Sequence, residues 1–228
     1  MLKRRAIAEE MMDAPGLAPE TYGAVLHDLA AVNTMTMARR PTLSFLDRAL
    51  QGRTRFRLLD VGFGEGDMLR TISRWAMARG IVADLVGVDL NAKSVDAARD
   101  ATPPELGIDY RAGDYADLAG EEFDFTVSSL VAHHMTHAQL IAFIRFMDSE
   151  AKIGWFVNDL HRHGFGWLGF PVLATVMRWH PIVRHDGQLS IARSYRPDEW
   201  PVILNEAGVT GAKVRRVFPF RLCVEKIR

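Results

Sequence analysis

Residues 58–66 of this chain read LLDVGFGEG, and this stretch decides the fold. An apolar run leads into Asp60, and Gly62, Gly64 and Gly66 follow at alternate positions. Glycine gives up side-chain burial and is costly to order, so glycines that end an apolar run indicate a tight turn that a ligand approaches closely. The pattern therefore predicts a buried strand, a ligand-binding turn and a helix directly after it.

Strand and helix patterns alternate along the rest of the chain. The apolar runs predict strands at residues 57–61, 84–89, 108–112, 123–129, 154–158, 213–218 and 221–224. Strands separated by helices predict an α/β fold, with a Rossmann-like, doubly wound, mostly parallel sheet of seven strands. Ligands bind such sheets at the carboxyl ends of the strands, which is where the glycine turn stands.

Helical patterns fill the regions outside the sheet. Residues 1–52 predict an N-terminal helical cap, which begins with a short helical arm at residues 2–12. Residues 53–228 hold the sheet, with a helical insertion at residues 164–195 after the fifth strand.

Charge and composition exclude several function classes. Lys and Arg together number 28, as do Asp and Glu, so the formal net charge of zero gives no bulk attraction to nucleic acid. The single cysteine, Cys223, excludes an internal disulfide framework. No apolar core of the signal-peptide type follows the basic first residues, so a cytoplasmic location is expected.

One apolar segment, residues 164–183, has some features of a membrane element. Arg178, His180 and two prolines interrupt it, and a spanning helix rarely tolerates such residues. We expect no stable membrane insertion, with shallow membrane contact as the minority alternative. The segment is interpreted as a lid or a pocket wall.

The residue after the third glycine helps to identify the ligand. A dinucleotide-binding turn has the spacing G-x-G-x-x-G, and Asp67 stands where its third glycine belongs. An acid at that helix N-terminus would repel a pyrophosphate. The pattern disfavours a nicotinamide-dependent oxidoreductase, which stays the alternative from another enzyme class.

Four motifs in order resemble those of the class I S-adenosylmethionine-dependent methyltransferases. Residues 58–66 resemble the first motif, residues 86–89 (VGVD) the second, residues 112–115 (AGDY) the third and residues 123–129 (FDFTVSS) the fourth. The resemblance covers about residues 57–160 and implies S-adenosylmethionine as the cofactor. Because this cofactor is a sulfonium without phosphate, carboxylates around the turn are compatible with it.

The resemblance also implies which residues hold the cofactor. Asp89 would grip the ribose hydroxyls, Asp114 would reach the adenine amine, and a neighbouring side chain such as Tyr115 would cover the ring. The full implied set is Asp60, Gly62, Gly64, Gly66, Asp89, Leu90, Asp114, Tyr115 and Ser129.

Histidines after the fourth and fifth strands are candidate catalytic bases. A phenol has a pKa of ~10, so a base such as histidine assists its methylation. The candidates are His133, His161 with Asp159 to orient its ring, and His185 beside the next residue, Asp186. A packing role stays open for each of the three, and no complete set of metal ligands is recognised, so no metal is predicted.

Residues 155–196 resemble the quinol-methylase-like, polyketide-associated group of bacterial methyltransferases. That resemblance implies methyl transfer to a hydroxyl of a hydrophobic aromatic or polyketide-like small molecule, covered by the 1–52 cap and the 164–195 insertion. Methylation at carbon or nitrogen of a quinol or protein target stays open, as does a non-catalytic cofactor-binding domain. No nucleic-acid partner is expected, and a homodimer is left open.

Overall fold

The computed structural model describes residues 2–14 and 16–228. It contains seven strands, which we label in chain order: β1 (Arg55–Val61), β2 (Val82–Asp89), β3 (Asp109–Ala112), β4 (Phe125–Ser129), β5 (Gly154–Leu160), β6 (Lys213–Val217) and β7 (Arg221–Ile227). The α-helices of the described residues are α1 (Pro19–Met35), α2 (Arg40–Leu50), α3 (Asp67–Met77), α4 (Ala92–Asp100), α5 (His137–Glu150), α6 (Gly164–Val176), α7 (Pro181–Arg193) and α8 (Trp200–Ala207).

The strands form one sheet in the order β3-β2-β1-β4-β5-β7-β6. The pairs from β3 to β5 are parallel, and β7 runs antiparallel to both β5 and β6. Strand order reverses between β1 and β4, so the crevice of a doubly wound sheet lies at the carboxyl ends of these two strands. The predicted fold class is confirmed.

Helices cover both faces of the sheet, and each face has its own apolar core. One core packs α5 and α8 on the sheet through residues such as Phe143 and Trp200. The other packs α2 and α3, and there Phe45 of α2 stacks on Phe156 of β5 with ring centroids 5.0 Å apart. Helix α2, which lies within the predicted cap of residues 1–52, is therefore part of the sheet's core.

A third apolar cluster joins the N-terminal part of the chain to the insertion. Val25 and Val32 of α1 pack with Ala174, Trp179 and Val183 of the α6–α7 region. The insertion after β5 is helical as predicted, and its contacts with α1 form a roof above the sheet's crevice. Among the described residues, none of the helices combines the length and apolar character needed to cross a bilayer.

The arm that precedes α1 differs from its prediction as a helix. Residues 5–10 have no regular secondary structure, and a short 3-10 turn spans Met11–Asp13. The reason is tertiary hydrogen bonding: the Ala6 N–H donates to the Ala192 carbonyl, and the Met11 and Met12 N–H groups donate to the Asp186 carboxylate. Met1 and Pro15, which the predicted cap includes, lie outside the described residues, and the division at residue 52 remains a proposal.

Candidate active site

A cavity of about 690 Å³ lies at the carboxyl ends of β1, β2 and β4. Its floor contains the turn after β1, the end of β2 and the turn after β4, and its roof is formed by α1, α6 and α7. The cavity thus occupies the crevice that the topology provides for a ligand.

Glycine occupies positions 62 and 64 of the turn for different structural reasons. Gly62 and Gly64 both have left-handed φ angles, 76° and 56°. A Cβ on Gly62 would lie 2.3 Å from Cγ2 of Val131, whereas a Cβ on Gly64 would meet nothing within 4 Å. Close packing therefore requires glycine at 62, while Gly64 leaves open space beside the cavity that it lines.

Asp89 ties the end of β2 to this turn. Its Oδ2 accepts a hydrogen bond from the Gly64 N–H at 3.0 Å, and its Oδ1 accepts one from the Asn91 N–H at 2.9 Å. A carboxylate offers about four acceptor positions, so bracing the turn is compatible with the predicted grip on a diol.

A buried carboxyl group makes the floor of the cavity acidic. Asp60 is 1% exposed, and its Oδ1 has no hydrogen-bond partner among the residues that the structure describes. Burial, followed by the charges of Asp67 and Asp89, raises the pKa of Asp60 to about 8. Asp67 is partly balanced by Arg39 of the α1–α2 connection, at 2.9 Å. A cationic ligand would favour the ionised form of this unpartnered carboxyl group, so the position suits an ammonium or sulfonium group.

Some of the other predicted cofactor residues line the cavity and some do not. Leu90, Tyr115 and Ser129 line it. Gly66 is outside the lining, and a Cβ there would lie 2.4 Å from the Tyr110 hydroxyl. Asp114 is exposed, also outside the lining, and accepts from the Ala116 N–H at 3.0 Å. Its predicted contact with adenine stays a prediction.

His133 is the predicted base that reaches the cavity lining. Its Nδ1 lies 2.6 Å from Asp159 Oδ1, and its backbone N–H donates to Asp159 Oδ2 at 2.8 Å. Its Nε2 faces Glu10 Oε1 at 3.6 Å. Burial alone would lower the pKa of His133, but the carboxylates of Asp159 and Glu10 outweigh it and raise the pKa to about 9.

The other two candidate histidines lie outside the lining of this cavity. Asp159 orients the ring of His133 and not that of His161, which corrects the pairing expected from the sequence. Burial, together with the charges of His163 and Arg216, lowers the pKa of His161. The ring of His185 is 57% exposed and contacts Asp186 at 2.8 Å.

Glu10, which sequence reasoning did not single out, brings the N-terminal arm into the cavity wall. Its carboxylate accepts from the Ser190 hydroxyl at 2.7 Å and faces His133. Arg5 holds the same arm in place through the Arg193 and His133 carbonyls and the Tyr195 hydroxyl. No sequence motif marks these contacts, because they join residues more than 100 positions apart.

Glu10, His133 and His134 also place potential metal-ligand atoms within 4.8 Å of one another. However, the Arg193 guanidinium lies 3.6 Å from Glu10, and the Ser190 hydroxyl already donates to it. The Arg193 guanidinium and the Ser190 hydroxyl beside the Glu10 carboxylate favour a hydrogen-bonding role over metal ligation. The expectation of no metal stays a prediction.

Known proteins resemble the chain in both sequence and fold. A family model described as a methyltransferase domain matches residues 58–152. The chain is 36% identical over 85 residues to the magnesium-protoporphyrin O-methyltransferase of Rhodobacter capsulatus, in an alignment that covers 36% of this chain and 35% of that protein. The alignment thus spans about a third of the curated relative's length.

Solved methyltransferases share the fold at low sequence identity. Human N-acetylserotonin methyltransferase with S-adenosylmethionine has a TM-score of 0.65 and 14% identity, over 92% of this chain and 56% of that one. Magnesium protoporphyrin IX methyltransferase from Synechocystis with S-adenosylhomocysteine has a TM-score of 0.55 and 18% identity, over 95% and 90% of the two chains. The match at residues 58–152 identifies a methyltransferase domain, and the seven-stranded sheet around it is the fold that these solved methyltransferases share.

Proposed function

We propose that this chain transfers a methyl group from S-adenosylmethionine to a hydroxyl of a hydrophobic aromatic or polyketide-like small molecule. The observation that carries the proposal is the cavity itself. One cavity brings together the glycine turn, the unpartnered Asp60 carboxyl and the His133–Asp159 pair.

The residues of the floor would bind and orient the cofactor, which supplies an electrophilic methyl group on a sulfonium when it is bound. The open space at Gly64 would admit its amino-acid end, and Asp60 would face its positive charges. Asp89 would hold the ribose hydroxyls while it braces the turn. Placing the donor against an acceptor in a dry cavity supplies much of the rate enhancement of a displacement at carbon.

His133 would accept the proton of the acceptor hydroxyl at Nε2, which leaves an oxygen nucleophile for the methyl group that the bound cofactor would supply, with the thioether as the leaving group. Asp159 fixes the ring by its contact with Nδ1 and stabilises the imidazolium that results. Only the neutral imidazole accepts a proton, and because the pKa of His133 is raised to about 9, close to the ~10 of a phenol, this form becomes abundant only as the pH rises toward 9. His133 is 2% exposed, so the acceptor reaches Nε2 only when Glu10 shifts.

The walls of the cavity favour a hydrophobic acceptor. Side chains of α1, α6 and α7, among them Leu29, Phe170 and Ile191, supply an apolar lining above the polar floor. The relative from Rhodobacter capsulatus is named as an O-methyltransferase of a porphyrin, a large flat aromatic compound. That name supports an oxygen acceptor and an aromatic class, and the quinol- and polyketide-associated grouping is our own extension.

The test is methyl transfer to a panel of hydroxylated naphthoquinones, anthraquinones and flavonoids. We expect S-adenosylhomocysteine to form together with a product that carries a methoxy group, identified by mass and by carbon NMR. His133→Gln should abolish most turnover, while His185→Gln, another histidine paired with an aspartate, serves as the matched control.

Other outcomes would favour the alternatives. A product with its new methyl group on carbon or nitrogen would favour methylation at carbon or nitrogen over methylation of a hydroxyl. Tight cofactor binding by calorimetry without turnover on any member of the panel would favour a non-catalytic cofactor-binding domain.

A further inference from the structure

Helix α6 exposes a row of large apolar side chains. Phe165, Leu168, Val172 and Val176 are 76%, 63%, 64% and 71% exposed. Their spacing of three, four and four residues places them on one face of the helix. Single exposed apolar residues are ordinary, but a continuous row marks a surface that contacts another apolar phase.

The turn between β6 and β7 extends this surface. Phe218 and Phe220 are 80% and 37% exposed. The ring of His163, at the start of α6, lies 5.6 Å from the Phe165 ring and 5.7 Å from the Phe220 ring, so the turn and the helix meet there. We call these six residues, the four of α6 with Phe218 and Phe220, the apolar patch.

The two segments that carry the apolar patch contain no acidic residue. Residues 160–185 and 207–221 have neither Asp nor Glu, although the chain as a whole has equal numbers of acidic and basic residues. Their exposed basic residues include Arg178, Lys213 and Arg216. Carboxylates of other elements reach these segments at Asp28, which accepts from the His180 N–H, and at Glu225, which pairs with Arg215. The segments themselves carry only basic charge, in a protein that is neutral as a whole.

We propose that the apolar patch docks on the surface of an anionic lipid bilayer, with α6 lying in the plane of the interface. A helix of 13 residues is ~20 Å long, which is too short for a hydrocarbon core of ~30 Å but suits the headgroup boundary. Basic residues beside an apolar face add attraction to anionic headgroups. A two-fold contact between two copies would instead bring the same basic segments of both copies together, which like charges oppose.

The apolar patch is continuous with the cavity, since Phe165 and Phe220 belong to both. A compound dissolved in the bilayer could pass along these rings into the cavity without crossing water. The docking surface thus goes beyond the proposed methyl transfer, and its test needs neither an acceptor nor turnover.

The test is co-sedimentation of the full chain with vesicles of phosphatidylcholine, with and without phosphatidylglycerol. The variants are Val172→Glu in the patch and Val202→Glu as a matched control, because Val202 is a helical valine of α8 with 55% exposure. We expect binding that phosphatidylglycerol strengthens, a loss of at least about tenfold in the partition coefficient for Val172→Glu, and a change below about twofold for Val202→Glu. Lys213→Gln and Arg216→Gln should each weaken binding to the anionic vesicles by about fivefold.

Three results would overturn the proposal. These are a wild-type chain that stays in the supernatant with both kinds of vesicle, equal effects of the two glutamate variants, and a wild-type dimer in light scattering that Val172→Glu dissociates. The last would assign the patch to a second copy of the chain. Thermal unfolding of both variants confirms that they are folded.

Discussion

The two glycines of the turn after β1 allow packing and ligand binding to be tested separately. Alanine at 62 must adopt a left-handed φ, at a cost of ~1–2 kcal/mol, and its Cβ would lie 2.3 Å from a methyl of Val131. That methyl sits on a stiff, β-branched side chain, so overpacking adds ~1–3 kcal/mol. Gly62→Ala should therefore lose about 2–5 kcal/mol of unfolding free energy, and Gly64→Ala only the φ cost of ~1–2 kcal/mol.

For cofactor binding we expect the opposite order of effects: Gly64→Ala should be the more damaging of the two variants. The new methyl of Gly64→Ala occupies the open space where the cofactor's amino-acid end would lie, so we expect S-adenosylhomocysteine to bind at least about tenfold more weakly. Denaturant unfolding and calorimetry on both variants measure the two quantities. A Gly64→Ala protein that binds the cofactor like the wild type, or that unfolds as easily as Gly62→Ala, would refute this reasoning.

Asp89→Ala should weaken S-adenosylhomocysteine binding at least about tenfold through lost charge-assisted hydrogen bonds, and unchanged affinity in calorimetry would contradict the assigned pocket. Asp159→Asn should lower the pKa of His133 from about 9 toward 6.5 and move the rise of kcat/KM to lower pH, and an unmoved profile would exclude His133 as the base. Because the folded pKa of His133 is raised, its contribution to stability is complete below pH 6.5 and is lost as the pH rises through about 9. The difference in unfolding free energy between wild type and Asp159→Asn should shrink over that window. His161→Gln, outside the cavity lining, should keep wild-type turnover within about threefold, and a large loss would return the base role to His161.

The sheet and its turn could be predicted because their signals are local. The glycine turn and the alternating apolar runs depend on residues close in sequence. Thr136 and Gln139 have the spacing of a capping box, which is also a local signal, and they form its reciprocal pair of hydrogen bonds at the start of α5. Each predicted strand agrees with the structure at one end and differs by one to three residues at the other, since the last residues of a strand are set by pairing with its neighbours.

The wall opposite the cofactor could not be predicted, because tertiary contacts decide it. Ser129 pairs with Asn158, so the turn after β4 comes to lie beside the end of β5, and Asp159 meets His133 there. Sequence proximity suggested His161 for this contact, but β5 ends at Leu160, so His161 does not continue the strand on the face of Asp159. The sheet register instead brings His133, 26 positions away, to that carboxylate. Glu10 carries no local signal, because its partners come from the turn after β4 and from α7.

The contact between Glu10 and His133 couples the position of the arm to the proton on the imidazole. If the carboxylate favours the protonated ring, thermodynamic reciprocity requires the protonated ring to favour the seated arm by the same free energy. Neutral His133 therefore holds the first residues of the chain less firmly. With His133 as the proposed base, the state that is ready to accept a proton would also be the state that admits the acceptor, and the restored attraction after proton transfer would draw the arm back over the product.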